Sequence, residues 1–261
     1  MKKNSAVSVI YVLFFLLLLY TPIVIMIAYS FNDSELDIGW SGFTLDWYRQ
    51  LFASSDVKRA VVNSLIVSGC STLLSVLMGA FAAIGFHKFH FKGKDALDSF
   101  FYIPTIVPAM LLGVSLLALF DTCHISLSKL TIIIAHVTFC APVTFNTIRV
   151  ALNGFDSSIE EAALDLGCTQ FQTITKVILP NLVPAMLSGG LLAFTFSLED
   201  VMTTFFVAGP SDETLSVYIF GQMKAGMKPT LNALSTLLII VTVSLGIVMQ
   251  VLQNKTDTGN T

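Results

Sequence analysis

An all-α integral membrane protein with six transmembrane helices is the fold class this chain predicts, and three observations predict it. The composition is 54% hydrophobic and only 12% charged over 261 residues, a balance typical of polytopic membrane proteins. The apolar residues gather in six runs, at about 7–29, 60–86, 100–120, 127–148, 182–207 and 231–252, each near the roughly 20 residues that cross a bilayer as a helix. One long stretch between runs, residues 149–181, is mostly polar and carries its own helix start and stop signals. The whole of 1–261 reads as a single transmembrane domain.

The same composition narrows the function. A net charge of −3 supplies no basic field for nucleic acid. Cys70, Cys123, Cys140 and Cys168 form no C-x-x-C pair, so neither a disulfide framework nor a metal site is indicated. No cofactor motif is present either.

Taken in order, Lys2 and Lys3 precede the first run. It is longer than the roughly 7–15 residues of a signal-peptide core and reads as a retained span with a cytoplasmic N-terminus. Residues 31–59 mix Asp33, Glu35, Asp37, Asp46 and Asp56 with Trp40, Phe43, Trp47 and Tyr48, either an interfacial aromatic belt or a contact surface for an outside partner. The second span carries Ser64, Ser68, Ser71, Ser75, Gly79 and Ala83 as one stripe of small residues, which lets helices approach closely in lipid. A basic turn follows, where His87 and His90 lack the further ligands a metal needs. Pro104 and Pro108 mark a bend in the third span, and His136 on the fourth reads as packed and hydrogen-bonded.

The polar stretch 149–181 splits into two short helices. Ser157 with Glu160, or Ser158 with Glu161, fits a capping box. Ile159, Ala162, Ala163 and Leu166 then fall on one face, and Gly167 suits a left-handed C′ position. Thr169 with Gln172 offers a second box, Phe171, Ile174 and Ile178 mark a second face, and Pro180 is expected to stop that helix. Neither helix is long enough to stand alone in water, so the hairpin needs something to pack on.

Its pattern, Glu161, Ala162, Ala163, Gly167, Val177, Leu179 and Pro180, resembles the cytoplasmic coupling motif of ABC importer permeases. The resemblance implies a type I ABC importer permease (MetI-like) fold, whose coupling hairpin docks on a separate ATPase subunit. It implies as partners two ATPase subunits, a second homologous permease and a periplasmic substrate-binding protein. It places the chain in a bacterial inner membrane with both termini cytoplasmic. The strings W-S-G-F-T-L-D-W-Y at 40–48, S-L-E-D at 197–200 and P-T-L-N-A-L-S-T at 229–236 are similar to the second permease subunit of spermidine/putrescine ABC importers, the PotC type.

The fifth span contains L-S-G-G-L at 187–191, which looks like an ABC ATPase signature. No G-x-x-x-x-G-K-[ST] phosphate loop occurs anywhere, so ATP hydrolysis is expected from a partner and no catalytic residue is assigned. Ala185, Gly189 and Ala193 form a packing ridge instead.

Glu199 and Asp200 lie about ten residues before Gly209-Pro210, roughly 15 Å along a helix and so near mid-membrane. Carboxylates there usually face a cavity, a partner charge or a proton path. With Phe196 and Phe205 nearby, they suit an organic cation through ion pairing and cation–π attraction. A structural pair satisfied by another chain, or a permease for another small organic cation, amino acid or metal ion, stays open. An ion-coupled secondary transporter would show symmetry between two halves, and none is visible. An intramembrane hydrolase using Ser and His136 would need a nucleophile motif such as G-x-S-x-G, and the chain has none.

Overall fold

The computed structural model describes residues 5–34, 39–89, 91–226 and 228–258. Lys2, Lys3, Glu35, Asp37 and His90 lie outside the described residues. The chain divides into two compact units, residues 1–58 with 218–241 and residues 59–217 with 242–261.

The first unit contains α1 (Ser5–Tyr29), α2 (Asp46–Ala53) and parts of α11 (Leu215–Ala225) and α12 (Pro229–Thr258). The apolar side chains of α1 from Val9 to Leu19 are exposed all round, as expected of a helix whose solvent is lipid. The loop after α1 folds around buried Asn32. The Asn32 side-chain amide donates to the Gly39 carbonyl at 2.7 Å, its Oδ1 accepts from the Ser41 N–H at 2.8 Å, and its carbonyl accepts from the Trp47 indole at 2.7 Å. Phe31 stacks on Phe43 and leans on Tyr48. Trp47 and Tyr48 therefore hold the loop together, while Trp40 and Phe43 stay exposed.

The second unit is built on α6 (Lys129–Asn153), which packs against α9 (Leu179–Glu199) along much of its length. It also receives the small-residue stripe of α3 (Ser55–Lys88). At Gly79 the approach is so close that a Cβ would lie 2.3 Å from Thr144 Oγ1 and 2.7 Å from the Phe145 amide nitrogen. The Thr144 hydroxyl donates to the Ser75 carbonyl across the same contact. Since backbone cannot move aside as a flexible side chain can, Gly79→Ala is expected to destabilise by about 1–3 kcal/mol. The check is a lower midpoint of thermal unfolding in detergent, with less protein in the membrane.

Among the described residues, five helices are long and apolar enough to cross a bilayer. The pair α4 (Lys94–Ile106) and α5 (Ala109–Thr122) is long and apolar enough only when taken together and is bent by 105°, the form of a broken sixth span or of a re-entrant loop. The bend follows from Pro108: the residue before a proline is driven out of the helical region, and Val107 sits at ψ 128°.

The fifth run departs from expectation at both ends. Pro180 does not stop the second short helix: α8 (Gln170–Thr173) continues through a π-turn at Ile174–Ile178 into α9. The Leu179 N–H donates to Ile174, five residues back, and this wider turn gives the proline ring the room that an α-turn would deny it. At the far end the helix does not run to residue 207. It breaks at Asp200, ψ 126°, and resumes as the short α10 (Met202–Val207).

Candidate functional site

The hairpin begins with α7 (Ser157–Asp165). Asp156 caps it, accepting the Ser158 N–H at 2.9 Å, in place of the Ser157 or Ser158 boxes expected. A carboxylate accepts backbone N–H groups better than a hydroxyl does, and the Ser158 hydrogen bond holds Asp156 below the ordinary carboxylate range. The C-terminus is a Schellman motif: Cys168 N–H donates to Ala163 and Gly167 N–H to Leu164, with Gly167 at φ +87°. Thr169 and Gln172 form the expected capping box.

The apolar face of this hairpin does not turn inward as a whole. Ala163 and Ile178 are buried, but Leu166 is 87% exposed and Phe171 is 74% exposed, with Ile159 also out. Glu161 and Ala162 are exposed as well. Behind this face, Lys88 at the end of α3 forms an ion pair with Glu160. Beside it, the Arg149 guanidinium donates to both oxygens of Asp98, at 2.6 and 2.8 Å, tying α6 to α4. The hairpin is thus anchored to the second unit on one side and presents bare apolar groups on the other.

The two helix breaks meet. The Thr203 hydroxyl donates to the Ala109 carbonyl at 3.4 Å, and α10 packs along α5. Between the breaks lies a cavity of about 230 Å³ whose lining includes Pro104, Ala109, Phe139, Phe196, Asp200 and Thr203. Irregular backbone at membrane depth is tolerated where it lines such a cavity.

Among the described residues, Asp200 is the one acid on this lining, and its side chain is 11% exposed. Its Oδ2 accepts from the Thr204 N–H at 2.8 Å and the Thr204 hydroxyl at 2.9 Å. Fully buried His136 stands behind: Nε2 is 2.8 Å from Thr204 Oγ1 and 3.5 Å from Asp200 Oδ2, and Nδ1 is 2.6 Å from Ser197 Oγ. A carboxylate held from one side, on a cavity lined also by Phe139 and Phe196, has the chemistry to take a small organic cation.

Of the four residues read as a substrate path, the structure brings Asp200 and Phe196 to the cavity. Glu199 is exposed and lies off its lining, and Phe205 is half-exposed against Phe206, also off it. Phe139, Thr203 and Thr204 were missed by the sequence reading. Thr203-Thr204 next to an intramembrane acid was the available signal, since such hydroxyls partner buried carboxylates.

Residues 75–259 match the family described as "Binding-protein-dependent transport system inner membrane component". The chain is 38% identical to the spermidine/putrescine transport system permease protein PotC of Haemophilus influenzae, over 98% of this chain and 97% of that one. It is 36% identical to the putrescine transport system permease protein PotI of Escherichia coli K12, over 85% of this chain and 81% of that one. Among solved structures, a bacterial ABC transporter involved in the import of the acidic polysaccharide alginate superposes with TM-score 0.76, covering 96% of this chain and 97% of that one. At 14% identity that likeness carries the fold alone.

Proposed function

The chain belongs to the family of binding-protein-dependent transport system inner-membrane components, a multi-pass permease subunit of the ABC importer type, and we propose that its cargo is a polyamine such as spermidine or putrescine. The observation that carries the cargo is the Asp200 cavity, lined by an acid and two aromatic rings at two helix breaks, in a chain similar along its length to permeases named for those cations. Polyamines are flexible chains of ammonium groups and methylenes. They fit a site that offers charge at one point and apolar or aromatic surface around it.

In this reading the permease works beside a second, similar permease, on two ATPase subunits, and receives cargo from a periplasmic binding protein. Glu161, Ala162, Ala163, Gly167, Val177, Leu179 and Pro180 shape the coupling hairpin, and exposed Leu166 and Phe171 face the ATPase. Both termini lie in the cytoplasm, on the hairpin's side. When the ATPases close, the anchored hairpin moves with them, and the helices bearing the two breaks open the cavity alternately to either side. Glu199, off the cavity, faces the second permease.

Uptake of labelled spermidine, putrescine and an amino acid by cells with and without the chain tests the cargo. Polyamine uptake is expected to fall on deletion while amino-acid uptake holds. Unchanged polyamine uptake, or a loss confined to the amino acid, would defeat the polyamine assignment.

A further inference from the structure

We propose that His136 is a positioning residue for the cargo site, locking the Thr204 hydroxyl onto Asp200 so that one carboxylate oxygen is held and the other is left for the cation. The inference rests on the polyamine reading and deepens it.

The available protons set the direction of each hydrogen bond around Asp200. Thr204 Oγ1 has a single proton and two close partners, Asp200 Oδ2 at 2.9 Å and His136 Nε2 at 2.8 Å. An ionised carboxylate only accepts, so the Thr204 proton lies toward Oδ2. Nε2 must then be the donor to Thr204 Oγ1, in either charge state of the ring. Nδ1 is in turn fixed by Ser197 Oγ at 2.6 Å. Ser197, His136, Thr204 and Asp200 therefore form one chain of hydrogen bonds ending on Oδ2, which also accepts the Thr204 N–H. Among the described residues no hydrogen bond falls on Oδ1.

Such a chain does what a lone aspartate cannot. A threonine hydroxyl rotates about its C–O bond unless both its donor and its acceptor sides are engaged, and a carboxylate beside a cavity turns unless one oxygen is held. His136 has no solvent exposure and does not line the cavity, so it acts through Thr204 and Asp200 and never on the cargo. The sequence reading of His136 as a packed, hydrogen-bonded residue is right as geometry, but its partners belong to the site.

The test uses the assembled importer in membrane vesicles, with labelled spermidine well below saturation and membrane abundance measured for each variant. Thr204→Val keeps the volume and loses the hydroxyl, whereas Thr204→Ser loses volume and keeps it. His136→Phe keeps a ring without donors, whereas His136→Gln can still offer an N–H where Nε2 stood. Uptake per permease is expected to fall about tenfold in Thr204→Val and His136→Phe, the scale of a lost hydrogen bond to a charged group. Thr204→Ser and His136→Gln are expected to recover most of it. His136→Phe at wild-type uptake overturns the proposal; should it fail to reach the membrane, His136→Leu takes its place beside His136→Gln, and uptake equal in the two overturns it likewise. Thr204→Val equal to wild type, or Thr204→Ser as poor as Thr204→Val, overturns the proposal, because the order would then follow packing. Vesicles of the unaltered importer that take up no spermidine sink the polyamine reading and this inference with it. Wild-type uptake with variants ordered by volume sinks the inference alone.

Discussion

Asp200→Asn is expected to lower polyamine uptake about a hundredfold or more while the protein still reaches the membrane. Two effects add. The first is loss of the one acid on the cavity lining, since a hydrogen-bonded contact between opposite charges stabilises by about 1.5–3 kcal/mol. The second comes from Thr204. Its N–H and hydroxyl both donate to the carboxylate at 2.8 and 2.9 Å, so in the variant they select the amide oxygen. The amide NH₂ then falls on the side left for cargo, where an ammonium group needs an acceptor and meets a donor. Asparagine has the shape of aspartate and satisfies the same Thr204 donors, so the fold should survive. The measurement is initial uptake per permease at spermidine and putrescine well below saturation. Retention of more than about half the uptake would remove Asp200 from the path. Glu199→Gln is expected to cost less, since Glu199 stands off the cavity; a reversed order would put the cargo on the other face of the helix end.

What could be read from the sequence divides along a physical line. Long apolar runs and a hairpin with its own caps are local signals, and they announced long apolar helices, the left-handed turn at Gly167 and the Thr169–Gln172 box. Backbone breaks inside apolar runs are not local in the same way. Pro108 announced one of them, because proline restricts the residue before it. Nothing at Ser197 to Val201 announced the other, which is set by Asp200 turning to cap Thr204 and by the packing of α10 on α5. That break is why the fifth run does not extend as one helix to residue 207. Pro180 misled in the opposite sense: a proline usually ends a helix, but a π-turn five residues long absorbed it. His136 was legible as buried and bonded, yet its attachment to Asp200 joins two spans far apart in sequence, and no periodicity reports such a contact.

Gly167→Val is expected to uncouple the importer, cutting uptake at least about tenfold at normal membrane abundance and raising the ATP hydrolysed per polyamine moved. Gly167 sits at φ +87°, a region that costs an L residue roughly 1–2 kcal/mol and a β-branched one more. An added Cβ meets nothing within 4 Å, so the strain is confined to the backbone and the rest of the fold need not yield. Relief requires leaving the left-handed region, which breaks the bonds from Gly167 to Leu164 and from Cys168 to Ala163. The base of the hairpin cannot follow, because Lys88 pairs with Glu160 and Ile178 is locked in the core. The change therefore falls on the relative placement of Leu166 and Phe171, the two bare apolar groups assigned to the ATPase contact. Gly167→Asn separates this from a loss of flexibility, since asparagine tolerates the left-handed region far better than valine. It should retain most of the uptake that Gly167→Val loses. Normal uptake and normal ATP hydrolysis in Gly167→Val would mean that the turn does not carry the coupling.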